Sequence, residues 1–135
     1  MFSFKLAKGD AASALNEPNS VVISKKLVNK YFNGADPIGK MIRIDNKENV
    51  TVTGVLEEIP DLSSLKFDFL LNYYLWFKEN DWAKEWGNNG PRCYVMLSPN
   101  TSVARVNAKI KDYIKTKNKE SNVELFLQNY GESYL

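Results

Sequence analysis

The chain has 135 residues, 44% of them apolar and 25% charged, which suits one domain with a real core and excludes a disordered segment. Its formal charge is +2 and its basic residues are scattered, whereas a nucleic-acid binder concentrates Lys and Arg on one face. With no histidine and one cysteine, Cys93, it lacks the Ser–His and Cys–His nucleophile pairs, the usual zinc ligand sets and any internal disulfide.

Phe2 to Ala7 alternates, with Phe2, Phe4 and Leu6 on one face, and predicts a first strand. That strand begins without a lead-in after Met1, so the sequence is expected to start inside a larger protein. Asp10 is placed to cap a short helical turn over Ala11 to Leu15, and Asn16 to Ser20 is turn chemistry. Val21-Val22-Ile23 is apolar throughout, the pattern of a strand covered on both faces.

Ser24 stands where an N-cap belongs, opening a helix from Lys25 to Phe32 with Leu27, Val28, Tyr31 and Phe32 as its buried stripe. Asn33-Gly34 supplies a left-handed C-cap, and Asp36-Pro37-Ile38-Gly39 a compact turn. Lys40 to Ile44 predicts a strand, with Met41 and Arg43 opposite Ile42 and Ile44. Asp45 to Glu48 is its hairpin loop, and Asn49 to Leu56 the returning strand. Gly54 within that strand predicts a bulge or a close backbone approach.

Residues 61–90 read as a small inserted lobe rich in aromatics, in which Ser63 to Leu71 is a loop entering a strand. Tyr73 to Phe77 continues it as a short helix or strand extension, and Trp82 and Trp86 share one face of a helical turn. Cys93 to Leu97 predicts a strand. A helix follows with Val103, Val106, Ile110, Tyr113 and Ile114 as its stripe, and Val123 to Gln128 a final strand. The expected fold is α+β: a mixed β-sheet with helices packed on one face, built from strand–helix–strand units. On this reading 1–60 and 91–135 form the main lobe of a single domain, 1–135.

Chemistry is thin. Glu57 and Glu58 are adjacent, so an extended chain points them to opposite faces. Asp61 and Asp68 read as structural loop and strand-end groups. Asp45 to Asn49 lacks the spacing of a calcium loop, and the glycines near Lys40 lack that of a phosphate loop. Lys109, Lys111, Lys115, Lys117 and Lys119 read as a solvated helix face, and Cys93 as a packing residue. The longest apolar stretch, Phe69 to Phe77, is interrupted by Asn72 and is far short of the ~20 residues that cross a bilayer. No catalytic, cofactor-binding or metal-binding residue is assigned. Tyr73, Tyr74, Trp76, Trp82 and Trp86 admit two readings. They form the core of the small lobe, which composition favours, or a candidate interaction surface that stacks on sugars or docks a protein. The second reading would make the chain a stand-alone carbohydrate- or protein-binding module.

Several motifs resemble the MacB-like periplasmic core domain of bacterial ABC-transporter permeases, in the MacB and FtsX family. Phe2-Ser3-Phe4 through Gly9-Asp10 to Val21-Val22-Ile23-Ser24 is similar to the middle of that domain. The best signature is Lys30-Tyr31-Phe32-Asn33-Gly34-Ala35-Asp36-Pro37-Ile38-Gly39-Lys40. Val52-Thr53-Gly54-Val55 leading to Ile59-Pro60, then Phe67-Asp68-Phe69-Leu70, extend the likeness, as do Leu125 to Gln128 and Tyr134-Leu135. Asn33-Gly34 and Ser64-Leu65 depart from the commoner Phe-Gly and Ser-His of the family. The resemblance implies a non-catalytic domain on the periplasmic side of the inner membrane, between two transmembrane helices. It further implies a cytoplasmic ATPase, a periplasmic adaptor or exported substrate as partner, a dimer in the intact transporter, and a first part of the domain upstream of Phe2.

Overall fold

The computed structural model describes residues 4–61, 63, 65–88, 90 and 92–132. The expected contribution of Phe2 to the first strand and the likenesses at Ser64 and Tyr134-Leu135 lie outside those residues. The contacts divide the chain into two compact units, one up to Asn80 and one from Asp81 onward.

The first unit is built on one mixed five-stranded sheet in which β1 (Leu6–Lys8), β4 (Glu48–Leu56), β2 (Ser20–Ser24) and β5 (Phe69–Leu71) lie side by side, while β3 (Met41–Ile44) also pairs with β4. Only β2 and β4 run parallel; β1, β3 and β5 are antiparallel to their neighbours. Helix α1 (Lys25–Phe32) follows β2 directly, and α2 (Tyr73–Glu79) follows β5. Val21, Ile23, Val50, Val52 and Val55 pack with Val28 of α1 and Leu75 of α2, which places both helices on one face of the sheet. On the other face Val22 and Leu56 pack with Ala14, flanked by Phe4, Leu6, Leu15, Phe67 and Leu70. Val21-Val22-Ile23 is thus covered on both sides, as its composition predicts.

The local chemistry works as the sequence indicates. Ser24 is in extended conformation, and its hydroxyl accepts from the Leu27 amide at 3.3 Å. Asn33 is left-handed at φ 51° and its amide donates to the Val28 carbonyl, closing the helix. The Asp10 carboxylate accepts from the Ala12 amide at 3.0 Å and the Ser13 hydroxyl at 2.8 Å, holding residues 11–15 as a turn. Asp45 and Asn46 are both left-handed, at φ 50° and 57°, the turn geometry that matches strand twist in a tight hairpin. Tyr31 departs from its expected place: it is 61% exposed, with Lys30 Nζ 5.3 Å from its ring centroid. Val28 alone of the α1 stripe is buried, with Leu27 and Phe32 half-covered around it.

The bulge expected at Gly54 is present. Val21 pairs with Val52 but Val22 pairs with Gly54, so Thr53 is the extra residue. Its hydroxyl donates to the Ala14 carbonyl and lies 3.2 Å from the Val21 carbonyl. A Cβ on Gly54 would stand 3.1 Å from Leu6 Cδ1 and 3.1 Å from Val22 Cγ2, so glycine lets the bulged strand approach both neighbours without displacing either side chain.

Residues 61–90, expected as an insertion, straddle the division at Asn80 and Asp81. Their first half joins the sheet body, because β5 pairs with β2 and Leu75 enters the core. The second unit carries α3 (Val103–Ile110) and α4 (Tyr113–Lys117), with single 3-10 turns at Asp81–Lys84 and Tyr130–Glu132. The predicted helix over this region is therefore two helices, joined at Lys111 and Asp112. The strands expected at Cys93 to Leu97 and Val123 to Gln128 are not strands in the structure. For the latter the reason is local. The Leu125 amide donates to the Lys111 carbonyl and the Leu127 amide to Asn107 Oδ1, so α3 and its C-terminus take donors that a β-ladder would use.

Candidate functional site

The parallel strands β2 and β4 end side by side, with α1 opening from β2, and at that end lies an open cleft of about 670 Å³. Ser24 lines it from the end of β2, Lys25, Lys26 and Asn29 from α1, Glu57 and Glu58 from the continuation of β4, and Asp61, Lys66 and Asp68 from the segment entering β5. Asp68 organises one wall. Its carboxylate accepts from the Ser24 hydroxyl at 3.1 Å and from Lys26 Nζ at 3.1 Å, while its carbonyl accepts from the Ser24 amide at 2.7 Å. Asp61 pairs with Lys66 at 3.4 Å. The cleft therefore mixes both signs of charge, and its best-defined polar groups are spent on joining β5 to the start of α1.

The lysine and hydroxyl donors lower the Asp68 pKa, first through the Lys26 hydrogen bond and then through that of Ser24. A carboxyl lowered in the folded state stabilises the fold above its unfolded value, and that contribution is lost as pH falls through the folded value. In an acid titration followed by circular dichroism, Asp68→Asn should therefore flatten the stability loss below pH 3.8, the ordinary carboxyl value. An unchanged acid limb would show that the ion pair is too solvated to matter. The other lowered carboxyls, Asp10, Asp36, Asp81 and Asp112, are explained by backbone amides, a hydroxyl or lysines that hydrogen-bond them. None is raised toward neutrality, the condition a carboxylic general acid needs.

Behind the sheet a second, apolar groove of about 540 Å³ lies among Phe4, Leu6, Ala12, Leu15, Val22 and Phe67. It is an extension of the core cluster on that face.

The aromatic candidates fall in both units. Tyr73, Tyr74 and Trp76 belong to α2; Tyr73 and Tyr74 are more than half exposed, and the Tyr73 ring lies 5.4 Å from that of Trp76. Trp82 and Trp86 belong to the second unit and are also exposed. Trp86 meets Tyr113 edge-on at 5.7 Å, with Lys117 Nζ over both rings. Sequence reading missed the Ser24–Asp68–Lys26 junction. Its members lie 44 and 42 positions apart, and only the Phe67-Asp68-Phe69-Leu70 motif marked one side of it.

Among the described residues no group of His, Cys, Asp or Glu is arranged to hold a metal ion, and no helix is long and apolar enough to cross a membrane.

Residues 1–113 match the family described as MacB-like periplasmic core domain. Among solved structures, a domain of a predicted permease protein from Porphyromonas gingivalis is similar, with 27% identity and a TM-score of 0.58. The match covers 87% of this chain and 49% of that one, so the chain spans about half the length of the solved relative. No curated protein sequence matches the chain significantly.

Proposed function

Because this chain belongs to the MacB-like periplasmic core domain family, we propose that it is an extracytoplasmic part of an ABC-transporter permease that transmits conformational change and docks a partner or substrate. The observation that carries the reading is the family match over residues 1–113, which takes in the whole sheet body. ATP is hydrolysed on a cytoplasmic subunit or domain, and this domain sits on the periplasmic side of the inner membrane, joined to transmembrane helices of a dimeric permease. It performs no catalysis of its own: the sequence holds no histidine, and Asp10, Asp36, Asp68, Asp81 and Asp112 are shifted downward by their hydrogen-bond donors, away from the range of a general acid.

A transmitting domain must move as one piece, and close-packed interiors pass on strain with little compression. The sheet body has ties of that kind. The Thr51 amide donates to the Asn19 carbonyl, the Gly39 amide to the Val52 carbonyl and the Ser24 amide to the Asp68 carbonyl, at 2.7–2.8 Å, linking turns and edges to the central strands. The exposed rings of Tyr73, Tyr74, Trp82 and Trp86 are the docking side chains of this proposal, for a periplasmic adaptor or an exported substrate.

The test uses Lys47→Cys, in the exposed β3–β4 turn, in the full-length permease with its ATPase, from which Cys93 and every other cysteine have been removed. The thiol should react with a membrane-impermeant maleimide in intact cells, and a spin label there should change its spectrum when nucleotide is trapped. Labelling only after lysis would sink the location, and a nucleotide-independent spectrum would sink the coupling. The rival binding module predicts instead a saturable tryptophan-fluorescence shift on titration of the isolated chain with oligosaccharides.

A further inference from the structure

Helices α3 and α4 turn one set of side chains inward and another out. Val106, Asn107, Ile110, Ile114 and the cap Asn118 are partly covered, at the spacing of one helical face. Arg105, Lys109, Tyr113 and Lys117 are exposed and stand four residues apart, the spacing of a ridge along a helix. The junction keeps that ridge together. Lys111 has helical angles, φ −41° and ψ −55°, and its amide donates to the Asn107 carbonyl at 2.9 Å. Asp112, at φ −99° and ψ 14°, stays close to the helical region, so α4 carries on from α3 with a bend and no reversal.

Trp86 joins the ridge at its far end. Its ring meets that of Tyr113, and Lys117 Nζ lies 6.0 Å from the Trp86 centroid and 5.7 Å from that of Tyr113. A Cβ on Gly87 would stand 3.6 Å from Asn118 Nδ2, so the chain after Trp86 runs against the end of α4. The rings are held in place without being covered: Trp86 is 45% exposed and Tyr113 44%. Charge is sorted here as well. Asp112 is the only acidic residue between Val103 and Lys119. It pairs with Lys115 at 2.7 Å, and Glu124 pairs with Lys111 at 3.4 Å. No ion pair among the described residues engages Arg105, Lys109 or Lys117.

We propose that this ridge rests on the headgroups of an anionic lipid bilayer. Arg105, Lys109 and Lys117 meet lipid phosphates, while Trp86 and Tyr113 seat their rings at the headgroup level, the depth that amphipathic aromatics favour. Three cations spread over roughly 18 Å of helix suit a broad charged plane better than a single small anion. Peptide ligands dock in grooves or along strand edges, and both clefts described above belong to the first unit. Trp86, counted above among the docking rings, here has lipid as its partner. The proposal takes from the functional reading only the periplasmic placement, which supplies the bilayer.

Sedimentation of the 135-residue chain with lipid vesicles tests it. Phosphatidylcholine vesicles containing a third phosphatidylglycerol should bind the chain at low salt and release it as salt rises, whereas pure phosphatidylcholine vesicles should not bind it. Lys109→Gln and Lys117→Gln should each lower the partition coefficient about 5-fold. Lys47→Gln removes the same charge from the exposed β3–β4 turn and should change it by less than about 2-fold. Brominated acyl chains should quench the tryptophan emission, and Trp86→Phe should remove that quenching while binding persists. No preference for the anionic vesicles overturns the proposal, as does an equal loss from Lys47→Gln and Lys117→Gln, or quenching that survives Trp86→Phe. Tighter binding to polyglutamate than to the vesicles overturns it in favour of an acidic protein partner. Such a failure leaves the periplasmic placement and the nucleotide coupling standing, because thiol labelling and the spin label read those separately.

Discussion

Gly9→Ala is expected to destabilise the first unit by about 3 kcal/mol or more, one of the largest effects of any single-methyl substitution in this chain. Two penalties coincide there. Gly9 has φ +91°, where an L side chain is strained, and its added Cβ would stand 2.4 Å from the Thr53 carbonyl oxygen and 2.9 Å from Gly54 Cα. Both obstacles are backbone, so no rotamer change relieves them. They belong to the bulge on which the register of β2 against β4 depends. At roughly 4–8 °C per kcal/mol for a domain of this size, the melting temperature should fall by about 12 °C or more. Calorimetry on purified wild type and variant reads this directly. A shift under about 3 °C would mean that β1 is held too loosely for the close approach to matter. Gly39→Ala is a useful control, since its φ is +77° but nothing lies within 4 Å of its added Cβ, so only the backbone strain remains.

Ile23→Ala should cost about 2–5 kcal/mol. Ile23 is 0% exposed on the central strand β2, between Val55 of β4 and Phe69 of β5, in the cluster closed by Val28 and Leu75. Truncating it leaves a cavity between sheet and helix, where backbone pairing on both sides prevents collapse. Equilibrium urea unfolding should give a lower midpoint with an unchanged slope. Val95→Ala in the same chain should change stability by less than about 0.5 kcal/mol, because Val95 is 61% exposed. If the two variants were equally destabilised, the core would not sit where the buried valines place it.

The contrast between these two sites explains what could be read in advance. Signals that act within a few residues were legible. Ser24 caps α1, Asn33 closes it, the Asp45-Asn46 turn reverses the chain, and Gly54 marks the bulge. Each depends on groups close together in the chain or on the conformational freedom of one residue. The strand patterns at Cys93 to Leu97 and Val123 to Gln128 were read with equal local justification, yet neither forms a ladder. A strand exists only when a neighbour supplies the other half of its hydrogen bonds, and no local pattern can say whether one does. Burial of the aromatic residues was likewise beyond local reading. Composition favoured a core, but Tyr73, Tyr74, Trp82 and Trp86 are exposed; in α2 the inward place is taken by Leu75.

By itself, then, the sequence determined a chain without histidine chemistry, an α+β plan for the sheet body, and the motifs that point to its family. Those follow from residue identity and short-range geometry. The tertiary structure alone decided that Asp68 reaches back 44 positions to Ser24, and that β5 and Leu75 belong to the sheet body. It also decided that every described residue from Asp81 onward keeps some contact with solvent. Burial and strand pairing are properties of what lies alongside, and what lies alongside is set by the whole chain.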